Sequence, residues 1–260
     1  MRINRYIAHY TKYSRREADK LIEEGKVKIN RIPLTDFSYQ VQKDDRVFVN
    51  GKEVKRKADL ELTMIVYNKP KGCLVTKRDD RGRTTIFHLL PGKFRHFTPV
   101  GRLDFASEGL LLLTDNIKVA TKMMEDKLPR VYNIKIDKMV SEEMIEAMKN
   151  GLTLEDATAG GHEKSKVKSM SFAPFIDFVD RGATGKYSKL RVTIAEGKNR
   201  ELRRFFAHFG AEVVDLKRVA YGFIELNNLP EGKSRYLTTK EYEELHLYLK
   251  EESEDANSKT

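Results

Sequence analysis

The chain has one cysteine, Cys73, among 260 residues. No internal disulfide can form, so a disulfide-stapled scaffold is excluded, and the lone thiol reads as a small buried hydrophobe. Long apolar runs are also missing. The strongest, Gly109-Leu110-Leu111-Leu112-Leu113, is far too short to span a bilayer. The start, Met1-Arg2-Ile3-Asn4, has no apolar stretch of the signal-peptide kind. The six histidines are scattered, and no zinc-ligand spacing, P-loop or Gly-rich dinucleotide fingerprint is present. These absences predict a soluble, cytoplasmic protein and leave no recognisable motif for a metal or a dinucleotide cofactor.

What is abundant is positive charge. Charged residues make up 34%, against 40% hydrophobic, and the formal net charge is +10. That balance points to a polyanionic partner without specifying any chemistry. The charge is uneven. Residues 1–57 hold 15 Lys and Arg against 8 Asp and Glu, which puts +7 of the +10 in the first quarter. Residues 52–61 are charged with few apolar anchors and read as a linker. Residues 62–249 are strand-rich with several helices, which gives an α+β chain of two domains, 1–57 and 62–249. The acidic tail, 250–260, is expected to be disordered.

The first unit can be followed closely. Ile3, Tyr6 and Ile7 have helical spacing. Ser14-Arg15-Arg16-Glu17 is a capping box, in which Ser14 and Glu17 satisfy free amides at the start of a helix that buries Ala18, Leu21 and Ile22. Gly25 ends that helix. Lys26-Val27-Lys28-Ile29 and Arg46-Val47-Phe48-Val49 alternate as strands, and Asn50-Gly51 is a turn signal. The unit resembles the S4 RNA-binding domain, except that Arg31 and Asp44 stand where that family usually has glycine. On a generic surface Arg15, Arg16, Lys20, Lys26 and Lys28 would be a solvated face. The resemblance implies phosphate contacts, which give affinity and position but little sequence information.

The most informative segment is Pro99-Val100-Gly101-Arg102-Leu103-Asp104-Phe105-Ala106-Ser107-Glu108-Gly109-Leu110-Leu111-Leu112-Leu113-Thr114. Physically it is a strand end, a polar turn and a buried strand. Asp104 sits in the turn, either as a local amide acceptor or as a partly desolvated functional carboxylate. The segment resembles the catalytic signature of the RsuA/RluB family of RNA pseudouridine synthases, whose Gly-Arg-Leu-Asp precedes Gly-Leu-Leu-Leu-Leu-Thr. Val66-Tyr67-Asn68-Lys69-Pro70-Lys71-Gly72 resembles that family's opening strand and turn, with Lys69 among the candidate RNA contacts. Tyr132, in the alternating strand Arg130-Val131-Tyr132-Asn133-Ile134, matches the tyrosine that lies against the target base.

Residues 189–194 alternate as a strand and Glu196-Gly197-Lys198 turns the chain. Asn199 can then cap a helix over 200–209, whose apolar stripe is Leu202, Phe205, Phe206 and Phe209. At about 100° per residue Arg203 falls roughly 110° from the stripe centre, and Arg200 and Arg204 roughly 150–170° away. Arg203 is therefore the arginine at the core boundary. Lys198, Arg200 and Arg204 are expected to face solvent or RNA. The family motif, matched by Gly197-Lys198-Asn199-Arg200-Glu201-Leu202-Arg203-Arg204, also selects Arg203 as the partner of Asp104. Leu216-Lys217-Arg218-Val219-Ala220-Tyr221-Gly222 resembles the last motif, with Tyr221 in place of Ile or Leu on the pocket wall.

The resemblance implies isomerisation of a flipped-out uridine by Asp104. Arg203 would hold the carboxylate ionised, Tyr132 would stack on the uracil and Arg102 would fill the vacated place in the RNA. It implies ribosomal RNA as partner, with large-subunit RNA favoured over small, and a monomeric enzyme. A non-catalytic ribosome-assembly factor is the alternative, but intact Asp104, Tyr132 and Arg203 speak against it. An S4-linked methyltransferase would need a Gly-rich loop that Gly160-Gly161 and Gly182 to Gly185 do not supply.

Overall fold

The computed structural model describes residues 1–11, 13–42, 44–54, 62–161 and 167–257. The chain divides into two compact units, Met1–Thr63 and Met64–Thr260. Residues 55–61, most of the expected linker, lie outside the described residues.

In the first unit, helix α1 (Ile3–Tyr10) and helix α2 (Arg15–Glu23) precede four short strands: β1 (Val27–Ile29), β2 (Ile32–Pro33), β3 (Val47–Val49) and β4 (Lys52–Glu53). These pair in the order β2-β1-β3-β4. The capping box forms as expected, with Glu17 N donating to Ser14 Oγ at 3.2 Å and Ser14 N to Glu17 Oε2 at 2.7 Å. Ile3, Ile7, Ala18, Ile22 and Val27 are buried in one small core. Arg31 adopts φ +72°, so the β1–β2 turn takes the left-handed backbone that glycine favours.

The second unit opens with β5 (Met64–Lys69), a short helix α3 (Ile86–Leu89), β6 (Thr98–Pro99) and β7 (Glu108–Thr114). Next come α4 (Ile117–Glu125), β8 (Arg130–Ile136), α5 (Glu142–Asn150), β9 (Leu152–Leu154) and β10 (Met170–Phe172). The hairpin β11 (Asp177–Thr184) and β12 (Tyr187–Ile194) leads to α6 (Glu201–His208). The chain ends with β13 (Val213–Tyr221), β14 (Ile224–Glu225), β15 (Ser234–Tyr236) and α7 (Thr239–Asn257). The helix α7 continues through most of the segment expected to be a structureless tail. Once a helix is nucleated, each added residue costs little, even in a polar run.

One nine-stranded sheet dominates, in the order β11-β12-β8-β13-β7-β5-β15, with β14 beside β13 and β6 beside β7. It is antiparallel except where β7 and β13 meet. That junction is short. Only Lys217↔Glu108 and Arg218↔Gly109 are in register, so the two halves of the sheet touch at one point and diverge. Gly109 permits the touch: its φ is +101°, and a Cβ there would stand 2.2 Å from the Arg218 carbonyl oxygen. The turn carrying Asp104 enters β7 immediately before this junction.

The strands explain their own burial. The β8 side chains alternate, with Tyr132, Ile134 and Ile136 in the main core beside Val192, Ile194 and Leu216. The run Leu110 to Leu113 is buried throughout, as a strand covered on both faces must be.

Candidate active site

The turn before β7 is pinned from beneath by Lys69. This lysine is fully buried. Its Nζ donates to the carbonyl oxygens of Pro70 at 2.9 Å, Asp104 at 3.1 Å and Ser107 at 2.8 Å. Burial pulls its pKa down, opposed by nearby Cys73 and Asp104. Gly72 N donates to the Phe105 carbonyl at 2.8 Å, and Ser107 N to the Asp104 carbonyl at 3.1 Å. The backbone of the nucleophile candidate is thus held at several points while its carboxylate stays about 35% exposed. Lys69 was expected to contact RNA. It cannot reach RNA from this position, because the turn it stabilises covers it.

The carboxylate faces a cleft of about 540 Å³. Arg102, Tyr132, Lys198, Arg200, Arg218 and Tyr221 are among its lining residues. The expected Asp104–Arg203 ion pair is not formed. Arg200 is the residue that comes within reach, with Nη1 4.0 Å from Asp104 Oδ2. Arg203 lies behind the same turn and is 9% exposed. It donates to the carbonyls of Val213 at 2.7 Å and Ala106 at 3.1 Å. Burial lowers its pKa, Arg200 adds to that, and Asp104 opposes it.

The helix-wheel assignment of the three arginines needs correction, and each error has a cause. The helix starts at Glu201, with Arg200 as its N-cap residue in a left-handed conformation (φ +51°), so neither Asn199 nor a helical Arg200 takes the place assigned to it. The Arg200 Nε donates instead to the Gly160 carbonyl at 2.6 Å, which leaves its end near Asp104. Arg204 was placed toward solvent or RNA and is fully buried. It donates to the carbonyls of Ala157 and Asn199 and to Asn199 Oδ1 at 3.1 Å. Gly160-Gly161 covers that face closely: a Cβ on Gly160 would stand 2.4 Å from the Arg203 carbonyl oxygen.

The opposite wall is built on β8 and β13. Tyr132 is 7% exposed and opens on the cleft. Tyr221 is more deeply sunk. Its hydroxyl donates to the Met123 carbonyl at 2.6 Å and accepts from Arg130 Nη2 at 3.1 Å. The guanidinium groups of Arg130 and Arg218 flank its ring, at 4.9 and 5.1 Å from the centroid. Glu201 is buried at the start of α6 and accepts the Lys198 amide at 2.9 Å, and burial raises its pKa. The sequence had not singled out Arg130, Arg218 or Glu201. Their charge made them look like surface residues, although the alternation of β8 and β13 puts Arg130 and Arg218 on the inward face.

Arg102 is exposed at the cleft rim. Lys198 pairs with Glu196 at 2.6 Å. In the first unit Arg15, Arg16, Lys20, Lys26 and Lys28 are all exposed. Lys20 and Lys26 pair with Glu24 at 3.9 and 2.7 Å. Such exposed pairs are worth about 0–1 kcal/mol and yield readily to a phosphate. Among the described residues no helix is long and apolar enough to cross a membrane.

A basic S4-type unit and a carboxylate-bearing cleft on a split mixed sheet define an RNA-acting enzyme with its own RNA-binding module. Comparison with known proteins narrows the class. Residues 63–208 match the RNA pseudouridylate synthase family, and residues 1–47 match the S4 domain. An uncharacterized RNA pseudouridine synthase of Helicobacter pylori (strain ATCC 700392 / 26695) is 52% identical over 96% of this chain and 95% of its own. Ribosomal large subunit pseudouridine synthase B of Bacillus subtilis is 34% identical over 94% and 95%. The dual-specificity RNA pseudouridine synthase RluF of Escherichia coli K12 is 33% identical over 100% and 83%. A pseudouridylate synthase crystal structure superposes with TM-score 0.61 at 26% identity, covering 94% of this chain and 99% of that one. The chain belongs to the RNA pseudouridylate synthases, in the RsuA family, and is an RNA pseudouridine synthase with an N-terminal S4 domain.

Proposed function

We propose that this enzyme isomerises one uridine of ribosomal RNA, in the large subunit, with Asp104 as the nucleophile. The large-subunit assignment is supported by the name of the Bacillus subtilis relative, which aligns over 94% of the chain. One observation carries the choice of Asp104: its carboxylate opens on the cleft while its backbone is pinned by a buried lysine and an arginine stands 4.0 Å away. A nucleophilic carboxylate has to be held in place and open to its substrate, and this arrangement meets both needs.

The roles follow from position. The target uridine leaves its stack and enters the cleft. Tyr132 stacks on the uracil and Tyr221 closes the pocket behind it. Arg200 and Arg203 place positive charge around the turn that carries Asp104. Arg102, exposed at the rim, fills the place vacated in the RNA. Lys198 and the S4-unit residues Arg15, Arg16, Lys20, Lys26 and Lys28 contact phosphates. Lys69 and Arg204 are assigned to holding the site together and not to RNA. The base moves from N1 to C5 attachment on one sugar carbon, so the overall change needs no oxidant and no second substrate.

The test is site-resolved pseudouridine mapping of both large ribosomal RNAs from cells with and without the gene. One position in large-subunit RNA should lose its modification, and Asp104→Asn should fail to restore it while still binding RNA. A lost position in small-subunit RNA would move the substrate to that subunit. If every site survived, a ribosome-assembly role without catalysis would replace the proposal.

A further inference from the structure

The roles above leave two buried cations on the cleft wall, Arg130 and Arg218, without a task, and Arg218 is the one with a donor unmet. Arg218 stands directly across from Tyr132 in the antiparallel register of β13 and β8. Opposed residues share a face of the sheet, so both side chains rise toward the cleft. Arg218 is 2% exposed. Its Nε donates to the Leu110 carbonyl at 2.7 Å and its guanidinium carbon lies 5.1 Å from the Tyr221 ring centroid. Its Nη2 is buried with no hydrogen-bond partner, and no carboxylate pairs with it among the described residues. Leaving a buried donor unmet is costly, and more so when the group is charged. A cost of that kind persists where a ligand supplies the missing acceptor.

The surroundings indicate which ligand atom that is. Arg130, 4.9 Å from the Tyr221 ring centroid, adds a second buried cation to the wall. The exposed cations Arg102 and Lys198 line the same cleft nearer to solvent and suit the RNA phosphates. The deep position beside Tyr132 is where the base lies. When the N1–C1′ bond breaks, its electron pair stays on uracil and the charge spreads from N1 onto the two carbonyl oxygens.

We infer that Arg218 donates through Nη2 to a carbonyl oxygen of the target uracil, stabilising the base while it is detached from the ribose. This rests on the cleft being the uridine pocket proposed above. The step balances. The glycosidic pair goes to N1 as the Asp104 carboxylate bonds to C1′. C5 then takes C1′ as the carboxylate leaves with its pair, C5 loses its proton and N1 gains one. The Arg218 proton is shared throughout and never transferred.

The experiment uses the full-length enzyme and a ribosomal RNA fragment spanning the mapped uridine. The fragment is prepared with uridine, 2-thiouridine or 4-thiouridine at the target, or with one flanking phosphorothioate. Replacing oxygen by sulfur weakens the accepted hydrogen bond. Arg218→Gln should lower kcat by about 10²–10³-fold, the loss seen when one donor to a developing oxyanion is removed, with KM nearly unchanged. One of the two thio substitutions should slow the wild type by about tenfold, worth roughly 1.4 kcal/mol, and slow Arg218→Gln no further. Arg218→Lys should be intermediate in both respects, and it carries the same comparison if the glutamine variant does not fold. Additive effects of sulfur and substitution would overturn the inference, as would coupling to the phosphorothioate in place of the base. Failure of the wider proposal looks different: Asp104→Asn would remain active on the unmodified fragment.

Discussion

The junction between β7 and β13 makes Gly109→Ala a demanding test of the fold. The added Cβ would meet the Arg218 carbonyl oxygen at 2.2 Å, its nitrogen at 2.9 Å and its carbonyl carbon at 3.1 Å. All three are backbone atoms of a central strand, so no flexible side chain can give way. An ordinary contact needs the strands to part by about 1 Å, which breaks the hydrogen bonding of a junction only two residue pairs long. Losing about two backbone hydrogen bonds costs about 1 kcal/mol each, and a non-glycine residue at φ +101° adds about 1–3 kcal/mol. The expected destabilisation is about 3–5 kcal/mol, at the severe end of single substitutions. Because the Asp104 turn and the Arg218 side chain flank this junction, kcat should fall even where the variant stays folded. Urea unfolding followed by circular dichroism, with kcat measured in parallel, makes the check. Gly92→Ala is the control, since its Cβ would meet nothing within 4 Å. If Gly109→Ala stayed within about 1 kcal/mol of wild type, the sheet halves would not be joined at the stated register.

Two further outcomes are expected. Arg31 adopts φ +72°, which costs about 1–2 kcal/mol for a residue with a Cβ, less the roughly 0.5–1 kcal/mol of extra unfolded-state freedom that glycine brings. Arg31→Gly should therefore stabilise the S4 unit by about 0.5–1 kcal/mol, read as a raised urea midpoint, and a lowered midpoint would refute the turn geometry. Glu201 has its pKa raised above the ordinary 4.5 by burial, with Lys198 and Arg130 opposing. Between 4.5 and that raised value the folded state holds a proton that the unfolded chain has released. This contribution is therefore full below 4.5 and is lost as pH rises through the folded-state value. Thermal unfolding across that range should show stability falling with pH from this group, and Glu201→Gln should flatten the slope.

Much of the molecule was legible because its signals are local. The Ser14–Glu17 capping box, the alternation of β8 and the apolar run of β7 each depend on neighbours within a few residues, and the structure reproduces them. The misreadings share a different origin. A helix wheel treats α6 as having one buried face, but a second segment, Gly160-Gly161, packs on the side the wheel left to solvent. It comes from about forty residues upstream, and no periodicity within α6 could announce it. That packing buries Arg204 and draws Arg200 out of the helix, so Arg200, and not Arg203, reaches Asp104. Lys69 was misread for the same reason: the turn that covers it arrives from residues 104–107. In a chain with 49 Lys and Arg, charge alone cannot separate cations that meet RNA from those that hold the site together. What separates them is whether carbonyl oxygens from distant segments surround the side chain. By that criterion Lys69 and Arg204 are structural. Arg203 and Arg218 each keep one buried donor unmet, and of the two Arg218 lines the cleft, where a ligand can supply the acceptor.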